Sequence, residues 1–182
     1  MANPSPSPTT LEELGEAYDH FFPKIYRFLY YRTNEKEIAE DLTSQTFLKA
    51  IEKFHLFSPK KGTFNSWIYR IARNTLTDHY RTNKKTLNIE DIISLSTDED
   101  IPNKVQTQLN LEELQEALKS LNETQRDIVI MRVWDDLPYQ EIAAIVGKTE
   151  SNCKVIFGRA VNKLQTQINV STTLLSILIP LT

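Results

Sequence analysis

Between Ser58 and Lys85 the chain carries seven cations, Lys60, Lys61, Arg70, Arg73, Arg81, Lys84 and Lys85, against the single anion Asp78, within a sequence of net charge −3. Arg70, Arg73, Asn74, Thr77 and Arg81 recur three or four residues apart, which places them on one face of a helix. Cations on one face suit backbone phosphates, and Asn74 carries the donor and acceptor needed for a base edge. Tyr69, Trp67 and His79 add flat surfaces on which unpaired bases stack. A charge run alone is more often an ordinary solvated face. Here the bias of sign and the preceding Lys60-Lys61 favour nucleic acid, while Trp67, within an apolar stripe, reads as a core residue. Because the whole chain is acidic, any such surface is a local patch.

A second constellation lies at residues 138–164. A short amphipathic segment ends at Gly147, and a longer one follows Thr149, a good N-cap. This is the pattern of a helix-turn-helix. Cys153, Phe157, Ala160 and Leu164 share a face that would pack on Ile142 and Ile145, which makes Cys153 a small core residue. Ser151, Asn152, Lys154, Val155, Arg159 and Lys163 lie opposite, and those near the helix start are placed to meet bases. No catalytic constellation accompanies them. His20, His55 and His79 are scattered, with no second ligand at useful spacing and no Gly-rich phosphate loop, so neither enzyme, cofactor nor metal is expected.

The elements that must position these residues are helices. Gly is scarce, at 4 residues, and no two-residue alternation of strand type stands out. Leu11, Leu14, Tyr18, Phe21, Phe22, Ile25, Phe28 and Leu29 predict a first helix, broken near Phe22 by Pro23. Asn34 with Glu37 predicts the cap of a second, whose apolar face is Ile38, Leu42, Phe47, Ala50, Ile51 and Phe54. A third buries Phe64, Trp67, Ile68, Ile71, Ala72, Thr75 and Leu76. Periodicity fades from about 82 to 108, where Glu90, Asp91, Asp98, Glu99 and Asp100 mark an acidic linker. It returns at Leu109, Leu111, Leu114, Leu118 and Leu121, and Asn122 caps a helix running to Trp134. The expected fold is all-α: a leader (1–9), a helical domain (10–82), the linker (83–108), a second domain containing the helix-turn-helix (109–166) and an apolar tail (167–182). The run Leu174 to Leu181 is too short to span a bilayer. The start lacks the pattern of a signal peptide, and the single Cys153 fits a reducing cytoplasm.

In this order the segments resemble the extracytoplasmic-function sigma factors of bacterial RNA polymerase. Tyr18 to Leu29, Ala39 to Ala50, Phe64 to Arg81 with its Trp-Ile-Tyr-Arg-Ile-Ala-Arg-Asn core, and Leu118 to Leu164 carry the likeness. The resemblance implies that Asp41, Leu42, Gln45 and Phe47 dock on the polymerase clamp. It implies that the loop Phe57 to Gly62 and the helix Asn65 to Arg81 recognise and open the minus-ten element. The helix from Thr149, with Ser151, Asn152, Lys154, Val155 and Arg159, would read the minus-thirty-five element. Core polymerase, promoter DNA and an anti-sigma factor are the implied partners, with no membrane insertion. Three positions depart from the family's habit: Gln45 for Glu, Ile156 for Arg and Gly158 for His. Without the resemblance, a regulator using only the helix-turn-helix and a helical interaction module remain open. The apolar tail would fold back on the second domain, bind a regulatory partner or fray.

Overall fold

The computed structural model describes residues 8–86 and 114–167; the expected leader, acidic linker and apolar tail lie outside them, save Pro8, Thr9 and a few residues at the linker and tail boundaries. Within the described residues every regular element is a helix, as the periodicity predicts.

α1 runs from Leu11 to Thr33. Thr10 caps it by accepting from the Glu13 N–H at 3.2 Å, and Glu12 and Glu13 sit in the first turn, where carboxylates complement the helix dipole. The break expected at Pro23 does not occur: the proline lies on the exposed side of an uninterrupted helix. A mid-helix proline costs about 3 kcal/mol. Phe21, Ile25, Phe28 and Leu29 are all fully buried around it, and each contributes about 1.5–3 kcal/mol by leaving water. Packing therefore holds the helix through the proline. Asn34 is likewise not an N-cap. It ends α1 in the left-handed region at φ 60°, its N–H donating to Tyr30 O at 2.8 Å.

α2 follows at once, Lys36–Lys53, with Glu35 in the cap position and no side-chain cap bond. Its buried face is Ala39, Leu42, Thr43, Thr46, Phe47 and Ala50, turned from the expected one so that Ile51 is 53% exposed. Two threonines can lie in this core because their hydroxyls donate to the Ala39 and Leu42 carbonyls at 2.6 and 2.7 Å. Two 3₁₀ turns, Phe54–Leu56 and Pro59–Lys61, lead to α3, Phe64–Thr86. Along α3, Phe64, Ile68, Ala72, Thr75 and Leu76 are buried, with Trp67 and Ile71 at the margin.

The second block holds α4 (described over 114–119), α5 (Glu123–Val133), α6 (Tyr139–Val146) and α7 (Glu150–Gln167). Asn122 and Gln125 form the reciprocal capping box that starts α5, as expected of Asn122. Gly147 ends α6 at φ 69°, and Thr149 accepts from Asn152 N–H at 3.2 Å to start α7, which completes the helix-turn-helix.

The two blocks share a core. Phe21, Ile25, Phe28, Leu29, Ala72 and Leu76 from the first belong to one cluster with Ile128, Ile130, Met131, Ile142, Ile145 and Cys153 from the second. A smaller cluster, Leu114, Leu118, Leu121, Val129, Ala160 and Leu164, staples α4, α5 and α7. Tyr31, Trp134 and Phe157 touch both.

Candidate nucleic-acid interface

α3 presents its cations unevenly. Arg70, Asn74, Thr77 and Arg81 are exposed, with Arg81 paired to Asp78 at 3.0 Å. His79 is half-buried, its ring against Tyr80. Lys60 and Lys61 are exposed on the second 3₁₀ turn, just ahead of the helix. The side chains of Lys84 and Lys85 lie outside the description. Three expected site residues are less available. Asn65 is only 6% exposed, Tyr69 is fully buried with its ring edge on Phe28, and Arg73 is half-covered with its Nε donating to Asp127 Oδ2 at 2.8 Å. Tyr69 offers no stacking surface in this conformation because α6 packs on its side of α3. Trp67 packs among Phe54, Phe57 and Phe64, as its place in the stripe indicates.

Where the loop meets α3, Leu56, Phe57, Lys61, Gly62, Trp67 and Arg70 line a cavity of about 170 Å³. Two aromatic rings, Phe57 and Trp67, and two cations, Lys61 and Arg70, are among its lining residues, a chemistry able to hold one planar base with its phosphate. Gly62 is required there: its φ is 151°, and a Cβ would come within 3.2 Å of Ser66 Oγ.

α7 shows its expected outer face. Thr149, Ser151, Asn152, Lys154, Val155 and Arg159 are all exposed. Lys154 pairs with Glu150 at 2.7 Å and lies 5.7 Å over the Tyr139 ring, which fixes the turn against the helix. Cys153 faces inward, fully buried, and burial pushes its thiol pKa up, so it stays a protonated core residue. Ile156 is half-buried beside Lys148 and Arg159 in a groove of about 480 Å³ reaching the start of α5.

On α2, Asp41 is exposed and accepts from Gln45 Nε2 at 2.8 Å. Leu42 and Phe47, expected as docking anchors, are instead core residues, at 1% and 6% exposure. Leu48 and Ile51 on the same helix, and Leu56 just after it, are the exposed apolar side chains, at 61%, 53% and 63%.

Four charged residues that carried no expected role meet where the blocks join. Asp127 on α5, fully buried, accepts from Arg32 on one oxygen and from Arg73 on the other. Asp135 accepts from Arg27, which also donates to Trp134 O at 3.0 Å. Burial pulls the Asp135 carboxyl pKa up and Arg27 draws it back. Tyr69 Oη and Asp135 Oδ2 are both buried without a hydrogen-bond partner of ordinary geometry, and burial first, then the neighbouring Asp135, drives the Tyr69 pKa well above its ordinary value. Tyr31 on Trp134, with ring centroids 4.8 Å apart, and Gln115 donating to Tyr30 Oη at 3.2 Å complete the junction. No local pattern signals these pairs, whose partners stand 54 to 108 residues apart.

Two family models match in the order of the two blocks: sigma-70 region 2 over residues 17–86 and sigma-70 region 4 over residues 111–164. The chain is 33% identical over 156 residues to the ECF RNA polymerase sigma factor BldN of Streptomyces coelicolor, covering 84% of this chain but only 59% of that protein. It is 29% identical over 160 residues to the ECF RNA polymerase sigma factor SigM of Bacillus subtilis, covering 86% of this chain and 95% of that one. In fold it is similar to the sigma factor RpoE from Bartonella quintana, solved in complex with the anti-sigma factor NepR (TM-score 0.74, 24% identity, 88% of this chain and 99% of that one).

Proposed function

The chain belongs to the sigma-70 family, among the extracytoplasmic-function RNA polymerase sigma factors, and we propose that it binds core polymerase and directs it to open promoters. It is an initiation factor rather than an enzyme. The observation that carries the reading is the pairing of two sigma-70 regions, in order, with a cationic face on α3 and an open outer face on α7. No helix among the described residues is long and apolar enough to cross a membrane, and the cytoplasm, where polymerase works, is the proposed location. The first functional unit is assigned to residues 10–82 and the second to 109–166.

Lys60, Lys61, Arg70, Asn74, Thr77 and Arg81, with the cavity beside Trp67, are assigned to the minus-ten element. The aromatic wall would take an unpaired base while the cations hold the strand. Asn65, Tyr69, Arg73 and His79 belong to the same helix, with Arg73 and Tyr69 reached only after α5 and α6 move. Thr149, Ser151, Asn152, Lys154, Val155 and Arg159 are assigned to duplex DNA at the minus-thirty-five element. Polymerase docking falls to Asp41 and Gln45, with Leu48 and Ile51 as the exposed apolar companions in place of the buried Leu42 and Phe47. Carboxylates beside apolar anchors suit a basic clamp surface. An anti-sigma factor, such as the one that holds the Bartonella quintana protein, is the further partner proposed.

Run-off transcription with core polymerase on a promoter library, with and without this chain, tests the reading. Specific transcripts are expected only with the chain. In parallel, Asp41→Lys is expected to abolish capture of core polymerase while leaving the helical content unchanged. Retained capture would remove Asp41 from the docking surface.

A further inference from the structure

Asp127 sits between two guanidinium groups that both come from the other block. Arg32 Nη1 donates to one carboxylate oxygen, and Arg73 Nε donates to the other at 2.8 Å. The carboxylate is fully buried, while the Arg73 side chain keeps 30% of its surface exposed and the Arg32 side chain 6%. Arg32 is held by its own surroundings: its Nη1 reaches toward Glu123 O at 3.4 Å, and its carbonyl accepts from Tyr80 Oη at 3.0 Å. The fork therefore has one arm fixed in the α1–α3 packing and the other at the edge of the exposed Arg70, Asn74 and Thr77 face.

We infer that Arg32 and Arg73 form a binding site for a backbone phosphate of the opened DNA strand, and that Asp127 occupies it in the closed chain as an intramolecular stand-in. The inference rests on the assignment of α3 to the opened strand, and it adds Arg32, a residue with no role in that assignment. A carboxylate and a phosphate diester are both oxyanions of one negative charge, and each takes two donors from arginine in the same way. Exchanging one for the other leaves the net charge of the fork unchanged. The seam around the fork has the composition of a contact that separates. Arg27 Nε, Arg32 Nε, Tyr69 Oη, Asp135 Oδ2 and Glu141 Oε2 are buried there without a hydrogen-bond partner, and two aspartates meet three arginines. Buried ion pairs add little net stability over their hydrated forms, so parting the blocks exposes charges that water receives well. Parting also uncovers Tyr69 and the inner side of α3. The second block is thus a lid on the strand-binding helix, fastened by the group the DNA must displace.

The test uses the full chain and a fluorescent single-stranded oligonucleotide of mixed sequence, titrated over a series of salt concentrations. Asp127→Asn is expected to bind about tenfold more tightly and to steepen the salt dependence by about 0.7, the share of one phosphate contact on a single strand. Adding Arg32→Ala to Asp127→Asn should remove most of that gain in affinity and slope, whereas adding Arg32→Lys should keep it. An Asp127→Asn chain that is folded but gains neither affinity nor slope overturns the inference. If that variant does not fold, Asp127→Ser is measured in its place: a slope steeper by about 0.7 supports the site. Equal slopes overturn it. Arg70→Ala, outside the fork, separates the two readings. If it too leaves strand binding unchanged, the assignment of α3 fails rather than that of the fork.

Discussion

α3 and α7 are both helices with cationic outer faces, yet the fold treats them differently. α7 lies at the edge of the second block, with Ser151, Asn152, Lys154, Val155 and Arg159 all open to solvent. α3 is the spine between the blocks: α2 covers one side, and α6 covers the side that carries Tyr69. One of its cations, Arg73, already serves Asp127. On the proposed assignment, α7 is thus open to duplex DNA in the closed chain, while α3, assigned to the opened strand, is half withheld. If the two assignments hold, the difference teaches an order of events: duplex contact would need no rearrangement, whereas strand capture would need the blocks to part.

The comparison breaks most readily at Asp127. Asp127→Ala leaves two guanidinium groups facing a buried gap, a loss of about 3–5 kcal/mol for a buried pair, toward the lower end here because the Arg73 side chain is 30% exposed. The cost is limited by the ease with which the blocks separate and both arginines reach water. Denaturant unfolding is expected to show an early transition sensed by Trp134, which lies at the junction, with helices retained. A single late transition would mean that the apolar part of the seam suffices and that α3 is not held by charge.

The next test concerns function on the two helices. Lys61→Ala and Arg70→Ala are each expected to slow promoter opening about tenfold, the order set by one charged contact. Lys154→Ala and Arg159→Ala are expected to weaken duplex binding while changing the opening step less than about twofold. Stopped-flow opening measured beside equilibrium binding distinguishes them. Equal losses in both assays for the α3 variants would reduce α3 to another phosphate-contacting face.

A smaller effect comes from Asp135. Its folded pKa is raised above the ordinary 3.8, by burial first, with Arg27 opposing. The closed form therefore binds more protons than the parted form between 3.8 and the raised value. Its contribution to closing is full below 3.8 and is lost as pH rises through the raised value. Small-angle scattering is expected to show closure strengthening as the solution is acidified into that window, and Asp135→Asn should flatten the response. An unchanged pH response in Asp135→Asn would place the titration elsewhere.

The contrast between the helices was only half legible in the sequence. Thr149, Gly147 and Asn122 announced their caps and turn because capping chemistry is local: a side chain and a backbone N–H two or three residues apart. The cationic face of α3 was legible for the same reason. The coverage of α3 was not. Arg32 and Asp127 are 95 residues apart, and nothing in either neighbourhood marks the other. Tyr69 looked like a stacking surface because its neighbours are cations, but the aromatic edge contact with Phe28 and the arrival of α6 decide its burial. Pro23 and Asn34 misled in the other direction. Local rules placed a break and a cap there, and the packing of Phe21, Ile25, Phe28 and Leu29 carried the helix past the first and on to the second.

The smallest expected change probes whether α7 is tuned or merely exposed. Gly158 lies in the middle of the helix, on its solvent side, and a Cβ built there meets nothing within 4 Å. It has helical dihedrals rather than positive φ, so no backbone requirement retains it. Gly158→Ala should therefore stabilise the second block by about 0.5–1 kcal/mol through reduced backbone entropy in the unfolded chain. Thermal melting checks the gain. If α7 meets DNA through its side chains alone, duplex affinity should stay within about twofold of the parent. A more stable variant that binds duplex markedly worse would show that the backbone at Gly158 itself approaches the DNA. The reading face would then include the backbone at Gly158 beside the Arg159 side chain, and the glycine would be a device for close contact.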